Sequence, residues 1–106
     1  MIPVHLDKSV ITSYKEENMH KIKLTVKSVK GNCSAGYKEG DYFFIEDGLM
    51  IVPGQPSGLC MYAIPALLPY LTAYCRETPP SDWINLKKEL QCPDNTNAVI
   101  FGLERM

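Results

Sequence analysis

The sequence lacks a charge excess of either sign and long apolar runs. Its 11 basic and 12 acidic side chains give a net charge of −1, and the lysines and arginines are scattered. A polyanion-binding surface is therefore not indicated, and we expect no nucleic acid and no membrane as a partner. No apolar stretch approaches the roughly 20 residues of a membrane span, and Met1 to Lys8 does not read as a signal peptide. We expect a cytoplasmic protein, with a homo-oligomer or a protein partner as the open alternatives.

Two short motifs are also missing. The glycine-rich stretch Gly31 to Asp41 lacks the Gly-Lys-Ser/Thr ending of a phosphate-binding loop, so nucleotide binding has little support. No Cys-x-x-Cys pair occurs, although metal sites usually contain one close pair. In a reducing cytoplasm the four cysteines are expected to be free thiols, with packing, metal binding or reactivity as their roles.

What is present fits one small domain. The 106 residues have room for a single core, which we place at residues 21–106, with residues 1–20 as an N-terminal extension. Within that extension Ile2, Val4 and Leu6 alternate as a short edge strand would, with Pro3 suited to an edge.

Strand patterns flank the glycine-rich stretch. Ile22, Leu24 and Val26 alternate with polar residues, and the phase slips near Lys27 to Ser28, which indicates a bulge or the strand's end. The segment 41–46 reads as a strand, and Asp47-Gly48 predicts a tight turn into a strand over 49–52. The chain breakers of 53–58 predict a loop, and the apolar run 98–101 predicts a buried strand.

Helical spacing appears between these strands. From Leu59 to Arg76 the apolar residues Cys60, Ile64, Leu67, Leu68, Leu71 and Cys75 share one helical face. Because of Pro65 and Pro69, the helix either starts at 57–58 and bends at the prolines or starts at Pro65 after a loose turn. A short helix capped by Ser81 would place Trp83, Leu86 and Leu90 on one face.

The order of these elements predicts the α+β class. We expect a small, mostly antiparallel sheet, with curling toward a barrel left open, packed by one main helix and one short helix.

Three motifs together resemble a known family. They are Gly31-x-Cys33-x-Ala35-Gly36-Tyr37-Lys38-x-Gly40-Asp41, then Gly58-x-Cys60 before a helix, then Cys92-Pro93-Asp94 before a final strand. Over residues 21–106 they resemble a family of small bacterial and fungal proteins of unknown function, labelled an uncharacterised repeat protein family. Many members carry His at the position of Tyr37, so the resemblance supplies no metal ligand or base there. It implies candidate positions without an activity, and Cys75 lies outside its pattern.

Three of the four cysteines are candidates for a site. Cys33, Cys60 and Cys92 lie in loops or at a helix start, each near glycine or proline, whereas Cys75 falls on the apolar helical stripe and is expected in the core. If the three converge, they could ligate zinc, with His5, His20 or water as a fourth ligand, or an iron–sulfur cluster with one open iron. The simpler interpretation is that these thiols pack loop corners.

Other residues have local interpretations. Cys60 is the candidate nucleophile if it lies in the first turn of a helix, although a base is also needed. Asp41 and Asp94 are expected to bond backbone N–H groups in turns, and Lys38 to be solvated. The aromatic residues Tyr62, Tyr70, Tyr74 and Trp83 are expected in the core rather than in a ligand pocket.

The sequence therefore leaves three hypotheses about function. The first is a binding protein with a three-cysteine site for a metal ion or an iron–sulfur cluster. The second is a thiol-dependent enzyme or redox sensor that uses Cys60. The third is an accessory or assembly module with structural cysteines.

Overall fold

The computed structural model describes residues 19–106 of the chain. The predicted edge strand through Ile2, Val4 and Leu6 and the candidate ligand His5 lie outside the described residues.

A five-stranded antiparallel sheet forms the centre of the fold. Its strands are β1 Ile22–Val29, β2 Tyr42–Glu46, β3 Met50–Gln55, β4 Glu89–Gln91 and β5 Val99–Arg105. They lie in the order β3-β2-β1-β5-β4. The α+β prediction is confirmed, and the sheet is open rather than closed into a barrel.

The two central strands supply much of the core. Ile22, Leu24 and Val26 of β1 are buried, as their alternation predicts. The register between β1 and β5 shifts between Val26 and Ser28, which confirms the bulge. Because β1 continues to Val29, the slip in the apolar pattern marks a bulge and not the strand's end.

The β2–β3 hairpin is confirmed, but its second strand is longer than expected. Asp47 and Gly48 both have positive φ, and the N–H of Leu49 donates to the carbonyl of Glu46 at 3.0 Å. The expected loop over 53–58 is wrong in its first half, since β3 runs to Gln55 and Pro53 pairs with Phe43. Proline is tolerated there because β3 lies at the edge of the sheet.

The main helix, α1, spans Ala63–Tyr74. It fits neither expected start, because it begins after Tyr62 and places Pro65 in its first turn, where a missing N–H costs no intrahelical bond. Pro69 lies inside the helix. Leu67, Leu71 and Cys75 are buried as predicted, whereas Leu68 is exposed.

The expected short helix is a 3₁₀ turn over Trp83–Leu86, followed by β4. Asp82, not Ser81, caps the turn, since its carboxylate accepts the N–H of Ile84 at 3.0 Å. Trp83 and Leu86 are exposed, and Leu90 is buried on β4 rather than on a helical face. The predicted strand near the C-terminus is confirmed, extends to Arg105 and lies inside the sheet.

The antiparallel topology brings three connections to one end of the sheet. Strands β1, β3 and β4 finish at this end, while β2 and β5 begin there. The β1–β2, β3–α1 and β4–β5 connections therefore meet, and each carries one cysteine. We call this the cysteine end of the fold.

Candidate functional site

A pocket of about 600 Å³ opens at the cysteine end. Its lining combines three thiols with apolar groups and a few polar ones, namely Cys33, Ser34, Ala35, Cys60, Met61, Tyr62, Ala63, Cys92, Pro93, Asp94 and Asn97. The sequence spacing alone does not predict that Cys33, Cys60 and Cys92 converge, because no two of them are close in the chain. The order of the strands brings them to one pocket.

Cys33 lies in a tight turn of the glycine-rich connection. Its carbonyl accepts the N–H of Gly36 at 2.9 Å, and Gly36 has a φ of 84°, which glycine adopts without strain. The far side of the connection is joined to β1, since the N–H of Gly40 donates to the carbonyl of Val26 at 2.9 Å. Backbone bonds on both sides of Tyr37 thus fix the path of this loop.

Tyr37 joins the glycine-rich connection to the segment before α1. Its ring is buried and meets Phe101 edge to face, with 5.6 Å between the ring centroids. The backbone N–H of Cys60 donates to the phenol oxygen at 3.0 Å. Burial raises the pKa of Tyr37, the N–H of Cys60 opposes that shift, and the nearby Cys60, Cys33 and Asp41 add to it. Tyr37 therefore stays a neutral phenol that positions Cys60.

Cys60 precedes the helix instead of lying in its first turn. Its carbonyl accepts the N–H of Ile64 at 3.1 Å, and α1 begins at Ala63. The expectation that Cys60 benefits from a helix first turn depended on an earlier helix start, which the structure does not have.

Cys92 has the sulfur with the clearest hydrogen bonds. Its Sγ accepts the backbone N–H of Val99 at 3.2 Å and lies 4.0 Å from the carbonyl oxygen of Asn97. The Cys92 backbone also pairs with Val99, since its N–H donates to the Val99 carbonyl at 3.0 Å. Hydrogen bonds to ligand sulfurs are among the features that tune iron–sulfur clusters.

Asn97 connects two of the three cysteine-bearing loops, and the sequence patterns did not single it out. Its side-chain oxygen accepts the N–H of Asn32 at 2.9 Å, next to Cys33. Gly31 lies so close that a Cβ there would meet Asn97. The signal available in the sequence was Gly31 itself, because a glycine with positive φ at a crowded position indicates close approach by another segment.

The acidic candidates behave as turn residues, which confirms that prediction. Asp41 is buried and accepts the N–H of Lys38 at 2.9 Å, while Lys38 itself is exposed. Asp94 accepts the N–H groups of Thr96 and Asn97 through Oδ1, at 2.8 and 2.9 Å. The Asn97 and Thr96 bonds lower the pKa of Asp94, whose carboxylate also lines the pocket.

His20 and Cys75 lie away from the pocket, near the carboxyl end of α1. The N–H of His20 donates to the carbonyl of Cys75, and its Nε2 lies 2.9 Å from Glu77. The Cys75 thiol is buried, as predicted, and this burial raises its pKa. Because α1 separates His20 from the cysteine end, the structure corrects the interpretation of His20 as a fourth ligand or a base for Cys60.

The four aromatic candidates separate into different environments. Tyr74 is buried as expected, whereas Tyr62 is exposed at the pocket. Trp83 is exposed and meets Tyr70 edge to face, with 6.4 Å between centroids. The expectation that all four lie in the core is thus correct for Tyr74 and wrong for Tyr62, Tyr70 and Trp83.

The spacing of the three thiols bears on the kind of ligand. Among residues 19–106, no three His, Cys, Asp or Glu side chains are grouped closely enough to hold a single metal ion. A tetrahedral zinc site brings sulfur atoms to within about 4 Å of each other. Cys33, Cys60 and Cys92 line the same pocket but are not grouped as closely as the ligands of a single metal ion.

Family models, curated proteins and solved structures were each compared with the chain, and none matches. The resemblance based on the cysteine and glycine motifs stays a prediction. None of the helices in the described part of the chain has the length and apolar character needed to cross a membrane.

Proposed function

We propose that this protein binds an iron–sulfur cluster in the pocket at the cysteine end, with Cys33, Cys60 and Cys92 as ligands. The observation that carries the proposal is that three cysteines far apart in the sequence line one pocket of about 600 Å³. Thiolates are the usual protein ligands of such clusters.

The spacing of the thiols favours a cluster over a single zinc ion. In a cluster with several irons, each cysteine can ligate a different iron, so the sulfurs lie farther apart than around one ion. The three thiols line one pocket without meeting around one point, so a single zinc ion is not favoured there. Three cysteines would leave one iron of a four-iron cluster without a cysteine ligand.

The surroundings of the thiols suit this ligand. Cys33, Cys60 and Cys92 are each half-buried against the core, so a bound cluster would be partly shielded from water. The N–H that Val99 directs at the Cys92 sulfur would give a ligand there one backbone hydrogen bond. Burial and such hydrogen bonds are known to set cluster potentials.

The test is cluster assembly on protein purified without oxygen or chelator, followed by iron and sulfide analysis and an ultraviolet–visible spectrum. Each of Cys33→Ser, Cys60→Ser and Cys92→Ser should abolish or strongly reduce the iron content. Cys75→Ala is the matched control, because Cys75 is buried outside the pocket, and it should keep the wild-type iron content. Circular dichroism of each variant checks that the domain is folded.

Other outcomes would redirect the interpretation. Stoichiometric zinc that the same three substitutions remove would keep the three-cysteine site and exclude the cluster. Folded wild-type protein that takes up neither metal would contradict the proposal and leave Cys60 reactivity or structural cysteines as the alternatives.

A further inference from the structure

We infer that the protein forms a two-fold symmetric homodimer, in which the β4 strands of two copies pair antiparallel at the edges of their sheets. The two five-stranded sheets then form one continuous sheet. This inference goes beyond the proposed cluster and does not depend on it, because it uses the backbone of β4 and not the thiols.

The hydrogen bonds of β4 show which of its backbone groups are free. The carbonyl of Lys88 accepts an N–H of β5 at 2.9 Å, and the N–H of Cys92 donates to the residue that begins β5 at 3.0 Å. The direction of such groups alternates along an antiparallel strand. Glu89 and Gln91, both exposed, therefore direct their N–H and C=O groups away from β5. Among the described residues, nothing hydrogen-bonds to these outward groups.

The opposite edge of the sheet, β3, is closed to the same kind of pairing. Pro53 pairs with Phe43 and has no N–H, so it interrupts the row of donors that an added strand needs. Strand β4 contains no proline. An assembly through β4 therefore ends at two copies and does not grow into a filament.

The free groups of β4 fit a second copy of the same strand. If Glu89 lies opposite Gln91 of the second copy, each outward N–H faces an outward C=O. A shift in one direction places Gln91 opposite Lys87, whose N–H already donates to the carbonyl of Ile84 at 3.1 Å. A shift in the other direction places Glu89 opposite Pro93, which has no N–H. One register thus satisfies every free group.

The charges beside β4 also favour an antiparallel second copy. Lys87 and Lys88 precede the strand, whereas Asp94 follows its end. Antiparallel pairing places the basic start of one strand beside the acidic end of the other, while a parallel arrangement would bring the lysines together. The edge is therefore complementary in charge to a second copy of itself.

Exposed apolar side chains flank the same edge. Tyr70 lines a cavity of about 350 Å³ together with Glu89 and Gln91, and Trp83 meets the Tyr70 ring edge to face. The exposed fraction is 60% for Trp83 and 78% for Leu86. Large aromatic side chains supply much of the binding free energy of protein interfaces, so a second copy that covers this patch strengthens the pairing of β4.

The test is sedimentation equilibrium of the metal-free protein over a series of concentrations, with a reductant that excludes disulfide-linked dimers. We expect a reversible monomer–dimer equilibrium for the wild type. Gln91→Pro removes one outward N–H and keeps the bonds between β4 and β5, so it should leave a folded monomer. Circular dichroism checks the fold of each variant.

Two further substitutions test the register through the sign of their effects. Gln91→Glu places a carboxylate opposite Glu89 of the second copy and should raise the Kd of the dimer about ten-fold, whereas Gln91→Lys should lower it by a similar factor. Gln55→Glu is the matched control, because it makes the same change in net charge at the exposed end of β3. It should leave the Kd unchanged.

Three results would overturn the inference. The first is wild-type protein that stays monomeric at its highest soluble concentration. The second is a dimer that Gln91→Glu leaves intact, a variant that keeps the backbone of β4 and so does not depend on the folding of Gln91→Pro. The third is an equal effect of Gln91→Glu and Gln55→Glu, which would show that net charge, and not the pairing of β4, controls association.

Discussion

Tyr37 shows how one side chain fixes the geometry of the pocket. Its ring packs on Phe101 in the core, and its oxygen accepts the N–H of Cys60 from a segment more than 20 residues away. A buried donor that loses its partner costs free energy, because neither water nor another protein group replaces the bond.

Tyr37→Phe should therefore lower the free energy of unfolding by about 1–2 kcal/mol. The ring and its contact with Phe101 are kept, so the loss isolates the hydrogen bond. Urea unfolding followed by circular dichroism measures the change. Tyr62→Phe is the control at an exposed tyrosine and should leave stability almost unchanged. Equal midpoints for the two variants would mean that the bond to Cys60 contributes nothing to stability.

The cysteines show where residue-level prediction from the sequence stops. Their neighbours predicted that Cys33, Cys60 and Cys92 lie in connections and that Cys75 lies in the core, as the structure has them. Whether three loops meet depends on strand order, which no local pattern encodes. The same limit hid Asn97, whose partner Asn32 is 65 residues away.

The elements were predictable where one periodicity dominates. The alternation in β1, the aromatic strand β2 and the turn at Asp47-Gly48 each have a local cause, and each is present. The prediction of one short helix through Trp83, Leu86 and Leu90 is wrong, because the helical spacing of these residues is a coincidence. Leu90 is in fact buried by strand pairing with β5.

The sequence predicts an end to β3 that is too early, for a different reason. Pro53 and Gly54 break most secondary structure, but an edge strand needs hydrogen bonds on one side alone. Gly54 is moreover required there, since a Cβ would meet both the carbonyl and the ring of Tyr42. Pro53 and Gly54 are therefore compatible with β3 because this strand lies at the edge of the sheet. The sequence alone does not predict that edge position.

Gly54→Ala should consequently destabilise the hairpin by about 1–3 kcal/mol, because the added methyl forces Tyr42 or β3 to move. The urea midpoint measures this cost. Gly58→Ala is the matched control, as no atom lies within 4 Å of the added Cβ, and it should be neutral or slightly stabilising. A Gly54→Ala midpoint equal to that of Gly58→Ala would show that β3 moves away from Tyr42 without cost.

On the scale of the whole molecule, the two ends of the sheet differ in the chemistry of their thiols. Three half-buried cysteines line the pocket at one end, while Cys75 is buried near the carboxyl end of α1. Burial raises the pKa of Cys75, and the charges of Arg105 and Arg76 oppose that shift without cancelling it. A thiolate at Cys75 is thus disfavoured both by access and by its surroundings.

Labelling of the metal-free protein should reflect this difference. Iodoacetamide reacts with thiolates, so near pH 8 it should modify Cys33, Cys60 and Cys92 well before Cys75, as peptide mass spectrometry would measure. In guanidinium chloride the four rates should converge. Because the pKa of Cys75 is higher in the folded than in the unfolded chain, the unfolded state loses its proton first as the pH rises. The free energy of unfolding should therefore fall between the unfolded and folded pKa values of this thiol, and Cys75→Ala should remove that part of the slope. Labelling of Cys75 as fast as that of the pocket cysteines in folded protein would contradict its burial at the carboxyl end of α1.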